Sequence, residues 1–242
     1  MTDGRRAVIL GASSGIGRAL ALELAGRGWS VAVAARRLDR LDALVAAHPG
    51  IVERFALDAD APETAASTLN AYLDAASSDA VVISAGIGHL NDRLDMAPDL
   101  ATVATNVAGF TALAATAARH FEAAADGRPR LLVGLSSVAG LAGSARGTSY
   151  AASKAYQSTY LQGLRLRWRG RPIQALDVRP GFVDTAMAKG DGLFWVAAPE
   201  VAARQIADAM ERRSAVAYVT RRWRAVAWLM RALPERVLAR LG

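Results

Sequence analysis

Short apolar runs rich in β-branched residues alternate along this chain with longer stretches in which apolar side chains recur every three or four positions. The short runs lie at 7–10, 30–35, 51–57, 80–84, 130–136, 173–178 and 215–219, and they predict seven strands. Between the first two, Ile16, Ala19, Leu20 and Leu24 keep helical spacing, with Gly26 and Gly28 as the stop. Further helices are predicted around 38–47, 62–76, 99–125, 148–169 and 199–212, with Pro62 and Pro199 suited to first helical turns. Strands that alternate with helices build a parallel sheet covered on both faces. The expected fold is therefore α/β: a Rossmann-like, doubly wound, seven-stranded sheet in one domain over residues 1–220. An apolar content of 52% over 242 residues suits a single packed core. The least regular stretch, 182–198, carries Gly190, Gly192, Phe194 and Trp195, and reads either as a flap over a site or as a loop packed by its aromatics.

Charge changes the picture only at the end of the chain. Of the formal +7, residues 221–242 supply six arginines against one glutamate, so the body is nearly balanced. No basic stripe with interleaved aromatics marks a nucleic-acid partner before residue 220, and none is expected. The segment 221–242 reads as a basic amphipathic tail of two short helices split by Pro234. One side carries Trp223, Val226, Ala227 and Met230, and another carries Arg224, Trp228 and Arg231. Packing on the domain or across a dimer is one reading; peripheral docking on an anionic membrane surface is the other. Cysteine is absent, which excludes disulfides, thiolate metal ligands and a cysteine nucleophile, and no metal is expected. With no apolar run of roughly 18 residues and no apolar core near Met1, a cytoplasmic protein is expected, at most peripheral at the membrane.

Chemistry first enters at Gly11-Ala12-Ser13-Ser14-Gly15-Ile16-Gly17, which joins the first strand to the first helix. Glycines let backbone approach a ligand, and a helix N-terminus offers free N–H groups to a pyrophosphate. Strand before and helix after turn a weak motif into a dinucleotide site. After the second strand, where an NAD-binding domain commonly carries an acidic residue, this chain has Arg36-Arg37, which suit a 2′-phosphate; NADP(H) is expected in preference to NAD(H). The bland alternative is a pair of solvated charges.

The strongest chemical signal is Tyr150-Ala151-Ala152-Ser153-Lys154 on the helix predicted over 148–169. Side chains four apart share a helix face, and a nearby cation favours the phenolate of a tyrosine whose ordinary pKa is about 10. Lys154 and Lys189 are the only lysines in an arginine-rich chain. Upstream, Ser136-Ser137 ends the fifth strand, where an α/β sheet presents ligand-binding groups; alone, such a pair is more often a strand-end turn.

The G-x-x-x-G-x-G turn and the Tyr-x-x-x-Lys pair together resemble the short-chain dehydrogenase/reductase family, from Val8 to about Val219. The resemblance implies Ser137, thirteen residues before Tyr150, as the group that binds the substrate carbonyl. It implies Asn106 as a fourth catalytic position holding a water that links the lysine to solvent. It also implies Asp58 at the adenine, Ala85 and Gly86 beside the cofactor, and Pro180, Gly181, Val183 and Thr185 at the nicotinamide amide. Leu10 and Ile83-Ser84 depart from the family's usual threonine and Asn-Asn, which weakens expectations of sheet stability more than of catalysis. The implied activity is reduction of a ketone or aldehyde, or its reverse, by hydride transfer with Tyr150 as proton donor, Ser137 orienting the carbonyl and Lys154 lowering the tyrosine pKa. The tail around Leu233-Pro234-Glu235-Arg236 is similar to that of reductases of polyprenol-linked sugars, which adds a hydrophobic or lipid-linked ketone to the soluble small-molecule substrates. A homodimer or homotetramer is expected by the same resemblance. The rival class is a catalytically silent NADP-binding regulator or scaffold, which would have no use for Ser137, Tyr150 and Lys154. His48 and His120 are expected near helix ends at the surface, and His89 near the substrate in a minority reading.

Overall fold

The computed structural model describes residues 4–124, 126–187, 194–232 and 236. Strands β1 (Arg6–Leu10), β2 (Ser30–Ala35), β3 (Ile51–Ala56), β4 (Ala80–Ile83), β5 (Arg130–Leu135), β6 (Ile173–Pro180) and β7 (Val216–Val219) form one sheet in the order β3-β2-β1-β4-β5-β6-β7. Every pairing is parallel. Because parallel strands need crossovers, helices fall between them: α1 (Gly15–Gly26), α2 (Leu38–Ala47), α3 (Pro62–Ala75), α4 (Met96–Val103), α5 (Phe110–Ala123), α6 (Thr148–Arg167) and α7 (Pro199–Glu211). The α/β, Rossmann-like architecture expected from the alternation is what forms.

Successive strand residues point to opposite faces, and here both faces are covered, so the strands are apolar without alternation. Val31 and Val33 join Leu20, Leu24, Leu41, Ile206 and Met210 on one side. Ala32 and Ala34 join Leu69, Leu73, Phe110, Leu113 and Leu161 on the other. The edge strands are the exceptions: in β3 only Ile51 is buried and Val52 is exposed, and in β7 only Val219 is buried.

The single helix predicted over 99–125 is in fact three pieces. It starts earlier, at Met96, and a π-helical turn, Ala104–Gly109, separates α4 from α5. Through that turn the run Met96–Ala123 is continuous, and by length and composition it could cross a membrane, contrary to the expectation that no such run exists. Half of its most apolar stretch is buried, with Phe110, Leu113, Ala114, Ala117 and Phe121 against the sheet, as in a core helix. The sixth strand also extends further, to Pro180, because Arg179 and Pro180 still pair with Tyr218 and Val219.

The tail's first predicted helix is present as α8 (Trp223–Ala232), with Trp223 and Ala227 buried against the domain and Arg224 and Trp228 exposed. The helix predicted after Pro234 lies, except for residue 236, outside the described residues, as do Lys189, Gly190 and Gly192.

Candidate active site

All seven strands run the same way, so the ends of β1, β2, β4, β5 and β6 gather at one edge. The candidate residues are on the segments that leave this edge, the place where an open parallel sheet presents its ligand site.

The turn after β1 is shaped by contact with its neighbour. Gly11 has φ +93°, and a β-carbon there would collide with the backbone of Ala85, whose N–H donates to Leu10 O at 2.9 Å. One turn on, a β-carbon at Gly17 would strike Gly11 O and approach Ser84 Oγ at 2.9 Å. Leu10 and Ser84, the departures noted in the sequence, therefore sit where the first and fourth strands hand the chain over. Ser14 occupies the N-cap of α1 without a side-chain cap, and the first turn through Gly15 and Ile16 holds no acidic residue. That leaves backbone donors and the positive helix end open to an anion.

Of the two arginines after β2, the structure brings Arg37 to this turn: its guanidinium donates to Ser13 Oγ at 2.8 Å and Ser14 Oγ at 3.0 Å. Arg36 turns instead to Asp60 at 2.7 Å and more distantly to Asp58 at 3.7 Å. Asp58 is exposed and accepts the Asp60 N–H, which closes a local turn; the N-cap of α3 is Ala61.

At the centre, Ser137 leaves β5 as the N-cap of a 3-10 turn, Val138–Leu141, and its Oγ accepts the Ala139 N–H at 3.1 Å. Tyr150 and Lys154 lie on one face of α6, with the ammonium 5.7 Å from the tyrosine ring centroid. Both border the segment after β4. A β-carbon at Gly86 would lie 3.3 Å from Lys154 Nζ and 3.2 Å from Asn106 Oδ1, and one at Gly88 would lie 3.0 Å from the Tyr150 ring. These glycines leave space that larger residues would fill. Asn106 pins the same segment, accepting Ile87 N–H at 2.9 Å and donating to Ile87 O at 2.7 Å and Ser153 Oγ at 3.0 Å.

Burial sets the protonation of the pair. It holds the Tyr150 phenol above its ordinary value, with hydrogen bonding to Ser137 acting the other way. It lowers the Lys154 ammonium to about 8, opposed by the negative charge of Asp177. The sequence led us to expect Lys154 to depress the phenol; in this geometry the lysine donates instead to Leu135 O at 2.8 Å and Gln157 Oε1 at 3.0 Å, and desolvation governs the tyrosine. Asp177 is fully buried beneath them, held by Arg179 at 2.7 Å and by a short hydrogen bond from Ser136. Ser136 thus serves the sheet, and Ser137 faces the site.

The segment after β6 closes the other wall. Pro180 O lies 3.4 Å from Ser137 Oγ, buried Val183 bridges to Ala197, and Thr185 reaches the glycine turn, where a β-carbon on Gly15 would sit 3.0 Å from its methyl. Gly181 has a local reason of its own: the Trp223 indole of α8 occupies the space a β-carbon would need. Around that indole Phe182, Phe194 and Trp195 pack edge-to-face or tilted at 5.2–6.1 Å. The described ends of 182–198 are thus packed by aromatics.

Two residues here escaped the sequence reading. Gln157, buried one turn beyond Lys154, is visible in retrospect as a polar side chain in an otherwise inward stripe that includes Ala151, Leu161 and Leu164. Trp223 was assigned only to an apolar side of the tail. Among the histidines, His89 is exposed, His120 is partly covered in the last turn of α5, and His48 caps α2 while its Nδ1 accepts the Gly50 N–H.

The short chain dehydrogenase family matches residues 5–192. An oxidoreductase of Myxococcus xanthus (strain DK1622) is 38% identical over 189 residues, covering 76% of this chain and 74% of its own. Among solved structures, a short-chain dehydrogenase from Sphingobium yanoikuyae in complex with NADPH is 25% identical with a TM-score of 0.81, covering 96% of this chain and 97% of that one. A short chain dehydrogenase from Burkholderia cenocepacia J2315 in complex with NADP is 27% identical with a TM-score of 0.78, covering 89% and 95%.

Proposed function

The chain belongs to the short-chain dehydrogenase family and is an oxidoreductase, and from that premise we propose that it is an NADP(H)-dependent enzyme reducing a ketone or aldehyde to an alcohol. The observation that carries this reading is the meeting of Tyr150, Lys154 and Ser137 around the space left by Gly86 and Gly88. The residues fit the cofactor: an uncapped helix N-terminus at Gly15–Gly17 for the pyrophosphate, Arg37 with the Ser13 and Ser14 hydroxyls for a 2′-phosphate, and Pro180, Gly181, Val183 and Thr185 beside the nicotinamide. Ala85 and Gly86 would border the bound cofactor, and Arg36 and Asp58, paired with each other at 3.7 Å, would face its adenine.

When bound, the nicotinamide supplies the hydride. Ser137 Oγ donates a hydrogen bond to the substrate oxygen and fixes the carbonyl. Tyr150, kept protonated by burial, gives its phenolic proton to that oxygen, so the resting protonation state favours reduction. Lys154 stabilises the phenolate left behind, and Asn106 keeps the Gly86–Gly88 segment in register. The test is a spectrophotometric screen of NADPH and NADH consumption against chemically varied ketones. We expect NADPH-dependent turnover that Tyr150→Phe lowers by roughly 10³-fold; undiminished turnover by that variant removes the scheme.

A second reading concerns the substrate. On α8, Trp228 is 73% exposed and Leu229 48%, with Arg221, Arg222 and Arg224 close in sequence, while the opposite side is buried beside the aromatic wall of the site. Exposed tryptophan beside arginine suits peripheral contact with an anionic bilayer, and with it a hydrophobic or lipid-linked ketone. Truncation at residue 220 would also remove the buried Trp223, so the informative variant is Trp228→Ala in the full chain. Equal flotation of this variant and the parent with anionic vesicles counts against membrane contact. Association into dimers or tetramers through α4, α5 and α6 is part of the same proposal and is read by light scattering.

A further inference from the structure

Gln157 is 1% exposed, and both ends of its amide are used. Its Oε1 accepts from Lys154 Nζ at 3.0 Å, and its Nε2 donates to Asn106 O at 2.9 Å. The orientation is dictated by chemistry, since an ammonium only donates and a carbonyl only accepts. The Asn106 carbonyl has lost a partner: in an α-helix it would receive the Phe110 N–H, but in the π-helical turn that N–H goes to Thr105 O and Val107 O. A buried carbonyl left without that donor is costly, and the Gln157 amide makes up the loss. The amide hydrogens that satisfy the irregular turn are therefore tied, through one rigid group, to the oxygen that holds the lysine.

We propose that Gln157 is a positioning residue of the reaction centre: its amide clamps the Lys154 ammonium to the main chain of the π-helical turn, fixing where the positive charge sits relative to Tyr150. This rests on the reading of Lys154 and Tyr150 as reaction partners. The same turn carries Asn106, whose side chain holds the Ile87 backbone, so one amide couples the lysine to the floor formed by residues 86–88. The groups facing Lys154 are few. From α6 they are Tyr150 and Gln157, from β5 the Leu135 carbonyl, and from β6 the Asp177 carboxylate, which is already paired with Arg179. Gln157 gives the ammonium an acceptor without adding a second buried negative charge.

The chain has only two lysines, so the clamp can be read without turnover. Lysine labelled with ¹³C at Cε gives two NMR signals, and Lys189→Arg assigns them. In Gln157→Met, which keeps length and removes both hydrogen bonds, the Lys154 titration midpoint should fall and kcat should drop on the order of 100-fold, with KM for NADPH changed only a few-fold. In Gln157→Glu, which supplies a charged acceptor and no donor, the midpoint should rise, and the alkaline limb of kcat/KM should move with it in each variant. Should Gln157→Met fail to fold, the upward shift in Gln157→Glu carries the test. Unmoved midpoints in the folded variants overturn the proposal. Opposite midpoint shifts in a protein whose parent consumes no NADPH with any carbonyl would leave the clamp standing and remove the proposed function instead.

Discussion

The two walls of the site are built on different terms. The wall formed by β5, α6 and the π-helical turn is polar, buried and held at every joint: Lys154, Gln157, Asn106 and Ser153 are each 4% exposed or less and each hydrogen-bonded. The wall formed by the segment after β6 and by α8 is aromatic, with Phe194 and Trp195 nearly half exposed and packed ring to ring on Trp223, and with Arg222 stacked on Trp195 and donating to its carbonyl at 3.2 Å. The first arrangement tolerates little displacement, as proton transfer requires. The second is suited to discrimination by shape, where a missing group costs a modest amount. On the proposed function, chemistry belongs to the polar wall and substrate choice to the aromatic one.

The largest effect that would break this division is on the polar side. Tyr150→Phe should lower kcat for carbonyl reduction by roughly 10³-fold with folding intact, whereas Phe194→Ala should alter KM for hydrophobic ketones and leave kcat within a few-fold; steady-state kinetics of both variants decides it. Next, Trp223→Ala should destabilise the protein by about 3 kcal/mol, because the indole is buried at 3% exposure over Gly181; denaturant unfolding measures this. A smaller change is expected for Arg37→Ala. Losing a charge-assisted contact should raise KM for NADPH roughly tenfold and leave that for NADH unchanged.

The pH profile sharpens the comparison further. The Lys154 pKa is lowered to about 8, so the ammonium is present below that pH and lost above it, while the raised phenol stays protonated. Reduction should therefore be level at neutral pH, and kcat/KM should fall about tenfold per unit at higher pH, as one proton is lost. The smallest effect is that of Trp228→Ala on folding, within about 0.5 kcal/mol, since the side chain packs on nothing that its loss would open.

Most of the fold was legible because both signals that specify it are local. Strands buried on both faces read as apolar runs, and helices between them read as periodic stretches; the Ser30–Ala35 strand and the Leu38–Ala47 helix fall where the pattern put them. The π-helical turn was not legible, since 99–125 keeps helical spacing throughout and the extra residue is imposed by packing. A β-carbon at Gly109 would collide with Ala59 O, and Asn106 must reach Ile87. The glycine turn and the Tyr150–Lys154 pair carried their own spacing. Gln157 did not, because its partner across the gap, the Asn106 carbonyl, is a backbone atom with no signature in the residue code. Nor did the sequence tell Arg36 from Arg37; the choice comes from Asp58 and Asp60, which draw one guanidinium outward and leave the other to Ser13 and Ser14.

The seating of the Trp223 indole over Gly181 makes α8 and the segment after β6 a single mechanical unit. A displacement of α8 arrives within one residue of Pro180 and so beside the hydroxyl of Ser137. The position of one indole thereby has a lever on the geometry of the candidate site.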